Sequence, residues 1–368
     1  MAYKSRAAIC RELNKPVVVE TIGVDGPKRG EVTVKIAACG VCHSDLSATN
    51  GTIALPPPLV LGHEGAGEVI EVGEGVTGLA VGDHVVSSFI HMCGKCRFCA
   101  GGRPVLCLEQ HKALSTPLEG TPRTRDAKGQ PLGIFSGCGV MAEYATLSVE
   151  NLVKIDPKIP LDRAALVGCA VTTGVGAVFN TARVEPGSSV AVFGCGGVGL
   201  NVIQGAAIAG AERILAIDTM ESKLEMAKKF GATDTLLAKP GQDPTKEIKK
   251  LTGGGPDYAF ECVGVGALAE VAYKAIRRGG KAVIVGVARP TDSASFKPMS
   301  MVFEEKTLQG SYFGSSVPRV DFPRMLQLYM AGKLKLDELI TRRYKIDEAP
   351  QAFADLESGK NARGVIVF

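Results

Sequence analysis

"VAVFGCGGVGLN", Val190–Asn201, is the stretch whose reading decides the fold. An apolar, β-rich run leads into G-x-G-x-x-G, with Gly194, Gly196 and Gly199 at the spaced positions, and a small-residue helical stretch follows. Strand, tight turn and helix in that order suit a pyrophosphate. Gly194 permits the turn, Gly196 lets the backbone approach the phosphates, and Gly199 lets the helix pack close to the strand. The helix N-terminus adds free N–H groups and the positive end of its dipole. The glycines alone would fit any glycine-rich turn of an α/β protein, and their surroundings add what they lack. "RILAID" reads as the next strand and ends at Asp218, nineteen residues beyond Gly199. A carboxylate there accepts hydrogen bonds from an adenosine ribose and repels a 2′-phosphate, which favours NAD over NADP. The plainer role for Asp218 is a helix N-cap.

Outward from this core, "ESKLEMAKKFGA" reads as an amphipathic helix closing on Gly231. "DYAFECVG", "ALAEVAYKAIRRGG", "KAVIVGV" and "KTLQGSYFG" continue as strand, helix, strand, strand. The alternation predicts a doubly wound parallel sheet of Rossmann type over residues 171–312. Roughly the first 150 residues carry many short strands broken by Gly and Pro, such as "EVTVKIAACG", "GAGEVIEVG" and "GDHVVSSFI", an irregular β-barrel signature. Leu114–Gly133 reads as a polar surface loop, and the C-terminal part as two helices and the strand "GVIVF". The expected organisation is α/β plus β. The parts outside the parallel sheet are residues 1–170 and 313–368.

The 368 residues, 45% hydrophobic and 22% charged, suffice for two cores. A formal charge of +4 without a basic stripe argues against a nucleic-acid partner. No apolar run approaches the ~20 residues of a membrane span, and the first residues lack the apolar core of a signal peptide, so a cytoplasmic protein is expected. In a reducing compartment the eleven cysteines should not form disulfides.

Four of them stand together in "CGKCRFCAGGRPVLC", as Cys93, Cys96, Cys99 and Cys107. The opening C-x2-C-x2-C also starts some iron–sulfur motifs, but there the fourth cysteine typically precedes proline, whereas Cys107 precedes Leu108. Four thiolates in one loop suit a closed tetrahedral zinc, which has no position left for a substrate. Cys42, His63 and Cys169 would form a Cys2His set with an open position, although by spacing alone they are equally two buried thiols and a core histidine. Cys10, Cys39, Cys138, Cys195 and Cys262, with His84, His91 and His111, are read as structural.

In order and spacing, "CGVCHSD", "GHEGAGEV", the four-cysteine lobe, "GCAVTTG", "GCGGVG" and Asp218 resemble the zinc-dependent medium-chain alcohol dehydrogenases of the two-zinc type, along essentially the whole chain. The resemblance implies a GroES-like catalytic domain over 1–170 and 313–368, an NAD-binding domain over 171–312, and two Zn2+ per chain. Cys42, His63 and Cys169 would hold the catalytic zinc, a Lewis acid that acidifies an alcohol for hydride transfer to nicotinamide. The lobe would hold a structural zinc. Ser44 would hydrogen-bond the substrate oxygen and take its proton, Asp45 would orient the histidine ligand, and Glu64 would stand behind the metal. His43 and Arg363 match positions that reach the cofactor pyrophosphate, and Lys223 one near the ribose. Gly197, Val198 and Val285 complete the expected cofactor set, and Ile53 and Phe89 match substrate-lining positions.

Two departures matter. Ser47 stands where many relatives carry a histidine that passes the proton to solvent. The glutathione-dependent formaldehyde branch typically has an acid at the position of Ile53 and an arginine at that of His111, so a primary aliphatic, allylic or aryl alcohol is the expected substrate. The long polar loop resembles that of dimeric members, which makes a homodimer the expected assembly. A zinc-free enone or quinone reductase would lack the metal ligands, and a silent cofactor-binding scaffold would have no need of an open metal position.

Overall fold

The computed structural model describes residues 3–110, 122–239 and 241–368. His111 and residues 114–121 of the polar loop lie outside the described residues. The chain forms two compact units. One holds the residues up to Cys169 together with Val317–Ala331 and Leu336–Phe368, and the other holds Ala170–Ser316 and Gly332–Lys335.

The second unit is a six-stranded parallel sheet. Numbered along the chain, its strands are β11 (Ser189–Phe193), β12 (Arg213–Asp218), β13 (Asp234–Leu237), β14 (Tyr258–Glu261), β15 (Lys281–Ile284) and β16 (Thr307–Gly310). Their order is β13-β12-β11-β14-β15-β16. The chain winds outward from β11 to one edge and then from β14 to the other, so its direction reverses between these two strands, where such sheets bind ligands at their carboxyl ends. Ala191, Phe193, Leu215, Ile217 and Ala259 form the middle of the core, with Tyr273 and Ile276 packed over them. Covered on both faces, β11 and β12 are almost unbroken apolar runs. β13 escaped the sequence reading because an edge strand covered on one side shows no such run: "DTLL" is mostly half-exposed.

The first unit is β-rich. Strands β1 (Tyr3–Cys10), β2 (Val18–Val24), β7 (Thr124–Arg125), β8 (Pro131–Ile134) and β4 (Leu59–Val60) close a barrel in that order. A seven-stranded sheet contains β10 (Leu152–Lys154), β6 (His84–Ser87), β5 (Glu64–Val72), β3 (Glu31–Val41), β18 (Arg363–Val367) and β17 (Ile340–Tyr344), with β9 (Tyr144–Ser148) also paired to β3. The expectation of a surface loop through Gly133 needs correction. Thr124–Ile134 supplies two strands of the barrel, and Arg123 is buried with its guanidinium on Glu31. A burst of polar residues reads as loop, but β7 and β8 are too short to show periodicity. Among the described residues no single helix is long and apolar enough to cross a membrane.

The glycine turn beyond β11 has little slack. Gly194 sits at φ +87, and a Cβ on Gly199 would lie 1.8 Å from the Gly194 carbonyl oxygen. Gly199→Ala should therefore cost the unit about 3 kcal/mol and weaken NADH binding at least about tenfold. Urea unfolding and fluorescence titration with NADH check this, and an unchanged pair of values would contradict it.

Candidate metal centres and dinucleotide site

Three short segments of the first unit build the buried cluster. Cys42 is the N-cap of the helix His43–Thr49, and Ser44 and Asp45 lie in its first turn. His63 and Glu64 stand at the start of β5, and Cys169 follows the 3-10 turn Leu166–Gly168. Gly168 lets that turn press against the sheet, since a Cβ there would lie 2.7 Å from the Ser87 carbonyl oxygen. The ligand atoms of Cys42, His63, Glu64 and Cys169 lie within 4.8 Å of one another, and all four residues are buried.

The donor set fits a metal. Asp45 is fully buried; its Oδ1 accepts the Gly62 N–H at 2.8 Å, and its Oδ2 lies 3.2 Å from His63 Nδ1. The other ring nitrogen, Nε2, is buried and has no hydrogen-bond partner among the described residues, which in a pocket shared with two thiols is a position for a cation. Cys42 is held well below the ordinary thiol range, first by a hydrogen bond from Cys169 and then by His63, against the effect of burial. Burial disfavours a charged His63 ring, but Asp45 and Cys42 outweigh it and raise the histidine. These groups share protons where a dication would displace them.

Behind them, burial pushes the Glu64 carboxyl up to about 7 although Arg363 opposes the shift. Arg363 Nη2 contacts Glu64 Oε2, and the arginine is 3% exposed. The sheet register makes this meeting: Gly40 of β3 lies opposite Glu64, Val41 lies opposite Gly364, and a Cβ on Gly40 would fall 2.0 Å from the Glu64 carboxylate. Arg363, expected at a pyrophosphate, is thus placed on the acid beside the metal ligands. His43, with the same expectation, is exposed.

The lobe thiols of Cys93, Cys96, Cys99 and Cys107 also lie within 4.8 Å of one another. The Cys93 and Cys99 sulfurs are 3.9 Å apart, close to the edge of a tetrahedron with zinc–sulfur bonds of about 2.3 Å. Backbone N–H groups of Cys93, Cys96 and Cys99 point at Cys107, Cys93 and Cys96 Sγ at 3.4–3.5 Å. N–H groups of Cys99 and Leu108 draw the Cys96 thiol down to about 6, whereas burial raises Cys99 to about 12. The remaining cysteines are free thiols, buried except for the half-buried Cys262.

In the second unit, Gly196 caps the helix Gly197–Ile208, which places Gly197, Val198 and Gly199 in its first turn. Both Asp218 oxygens already hold backbone, accepting from Cys195 N–H at 2.8 Å and Met220 N–H at 3.1 Å. A carboxylate has about four acceptor sites, so room for ribose hydroxyls remains. Lys223 is half-buried in the helix Glu221–Lys229, and Val285 follows the end of β15.

Ile53 and Phe89, expected near substrate, are partly exposed and packed on the first unit's core. Phe89 meets the His63 ring at 5.0 Å and 72°. Phe135, which the sequence did not single out, meets the same ring at 5.2 Å and 89°. No motif marks it, because only the fold brings it to His63.

Two family models match: the alcohol dehydrogenase GroES-like domain over residues 28–157 and the zinc-binding dehydrogenase over residues 197–331. An S-(hydroxymethyl)glutathione dehydrogenase of Synechocystis sp. is 42% identical over 99% of both chains. Among solved structures, an alcohol dehydrogenase zinc-binding domain protein from Burkholderia ambifaria is 35% identical with a TM-score of 0.95, covering 100% of both chains. The benzyl alcohol dehydrogenase of Acinetobacter calcoaceticus is 33% identical with a TM-score of 0.94, covering 100% of this chain and 99% of the other.

Metal content should separate the two cysteine sets. Cys42→Ala should retain the fold, lose one zinc of two and abolish turnover; Cys96→Ala should lose the other and cost several kcal/mol of stability or assembly. Elemental analysis with thermal unfolding reads both, and a Cys96→Ala protein of wild-type stability would contradict the assignment.

Proposed function

The chain belongs to the zinc-dependent medium-chain alcohol dehydrogenase family, and we propose that it oxidises primary alcohols bearing an apolar group (aliphatic, allylic or aryl) with NAD, reversibly, to the carbonyl compound and NADH. The lining of the metal pocket carries this reading. Ser44 Oγ lies 3.7 Å from Cys42 Sγ, and Phe89 stands against His63, so a small hydroxyl and an aromatic wall meet at one metal position.

When bound, zinc at Cys42, His63 and Cys169 supplies Lewis acidity toward the alcohol oxygen, and NAD supplies the hydride acceptor. The chain's own groups do the rest. Asp45 holds His63 by Nδ1 and leaves Nε2 for the metal. Ser44 hydrogen-bonds the alcohol oxygen and takes its proton, which then leaves without an imidazole at Ser47. Glu64 closes the rear of the site, with Arg363 balancing its charge. The glycine turn from Gly194 to Gly199 receives the pyrophosphate, and Asp218 accepts the ribose hydroxyls.

A second reading, oxidation of S-(hydroxymethyl)glutathione, has in its favour the name of the 42% identical relative. Against it, Ile53 puts an alkyl group where a charged tripeptide adduct calls for a polar partner. A homodimer completes the proposal. On the helix Pro298–Glu304, Met299, Val302 and Phe303 are 71%, 73% and 78% exposed, and β16 beside it is an edge strand.

NADH formation with benzyl alcohol, cinnamyl alcohol, 1-butanol and formaldehyde plus glutathione tests the substrate class; turnover confined to the glutathione adduct would overturn the first reading. In the same assay Asp218→Ala should lower the preference for NAD over NADP by about tenfold or more, and unchanged discrimination would remove its ribose role. Phe303→Asp should shift a dimer to monomer in sedimentation velocity, whereas a wild-type protein that sediments as a monomer would refute the assembly.

A further inference from the structure

Phe89 and Phe135 wall the His63 ring, and their own rings meet at 6.0 Å and 73°, yet neither lies in a strand. Phe89 follows the end of β6 at Ser87, and Phe135 opens the turn Phe135–Gly137, whose Ser136 has φ 57. Segments of this kind need an anchor outside the sheet ladders, and two buried side chains reach both: Cys138, whose Sγ lies 3.4 Å from the Ser88 carbonyl and 3.3 Å from the Ser136 carbonyl, and Asn151, which adds the two stronger amide donors. Asn151 is 1% exposed. Its Nδ2 donates to the Ser88 carbonyl at 3.3 Å and faces the Ser136 carbonyl at 3.5 Å. The Asn151 backbone carbonyl accepts the Ser88 N–H at 2.7 Å, and Ser136 Oγ ties the two segments directly by donating to the Phe89 carbonyl. Behind it, Asn151 Oδ1 is 3.0 Å from Nδ1 of His91, also 1% exposed, whose Nε2 lies 2.8 Å from Glu150 Oε2.

The chemistry suits an amide at this position. Asparagine offers an acceptor toward the ring N–H and two donors toward the carbonyls, whereas a carboxylate would set an oxygen against them. We propose that Asn151, braced by His91, is a positioning residue that fixes where Phe89 stands in the alcohol pocket and so sets the preference among alcohols. This rests on the reading that Phe89 lines that pocket. Asn151 meets the Cys138 thiol at 3.9 Å but neither His63, Cys42 nor Cys169 in any of these contacts; it acts through the backbone at Ser88 and Ser136. A wall displaced by about 1 Å is worth up to about a hundredfold in rate, and a bulky ring meets the wall more fully than a slender alcohol does.

The test uses the zinc-loaded enzyme and compares kcat/KM for benzyl alcohol with that for 1-butanol. Asn151→Ala and Phe89→Ala should each change this ratio by about tenfold, and the double variant should match Phe89→Ala alone, with zinc still at two per chain. Ser136→Gly, at a φ that glycine adopts freely, should shift the ratio in the same direction by about threefold or more and decides the matter if Asn151→Ala fails to fold. An unchanged ratio in both Asn151→Ala and Ser136→Gly, or effects that simply multiply in the double variant, would overturn the proposal while leaving the pocket intact. If Phe89→Ala itself leaves the ratio unchanged, the pocket reading has failed and this inference falls with it.

Discussion

Glu64 and Arg363, both buried, meet over Gly40 within the seven-stranded sheet of the first unit. Burying an acid and a base is costly unless they pair, and removing one partner leaves the other charged in a low-dielectric interior. The sheet is built to permit the meeting. Glu64 begins β5 and Arg363 begins β18, on either side of β3, and β3 carries glycine where the carboxylate must lie. His63 precedes Glu64 in the chain, and Gly168 lets the turn before Cys169 press against the sheet. The buried cluster thus depends on two glycines: a Cβ at Gly40 would fall on the Glu64 carboxylate, and one at Gly168 on the Ser87 carbonyl.

The two metal sites differ in what holds them. The lobe is local: three of its cysteines are only half-buried, and backbone N–H groups of the loop aim at the thiols. Zinc held by the four thiolates would close it. The pocket of Cys42, His63 and Cys169 is global. Its ligands are supplied by a helix N-cap, a strand start and the end of a 3-10 turn, all of them buried. A closed set stabilises a surface loop, whereas a set with an open position in a buried, aromatic-walled pocket suits chemistry.

Both Asp218 oxygens hold the backbone of the turns they adjoin before any ribose arrives. The acid proposed to discriminate against a 2′-phosphate therefore also shapes the glycine loop through Cys195. Asn151 plays a comparable part in the first unit, where a buried amide sets the position of an aromatic wall that it does not itself form.

Much of this was legible in the residues themselves. The glycine spacing with Asp218 after the next strand, and the four cysteines in one loop, are signals in which sequence distance equals spatial distance, so local chemistry suffices to read them. The strands buried on both faces were readable for the same reason, since their environment imposes an unbroken apolar run. Where two elements merely touch, the sequence is silent. β13 and the short barrel strands β7 and β8 are edges or fragments without a period. Phe135 against His63, Arg363 on Glu64, and Asn151 between Ser88 and Ser136 join residues that only the register of the sheet and the course of the loops bring together. The sequence by itself determined which groups could bind metal and dinucleotide. The tertiary structure decided which of them share a pocket and how its walls are held, because those choices depend on long-range packing and on the absence of a Cβ at Gly40 and Gly168.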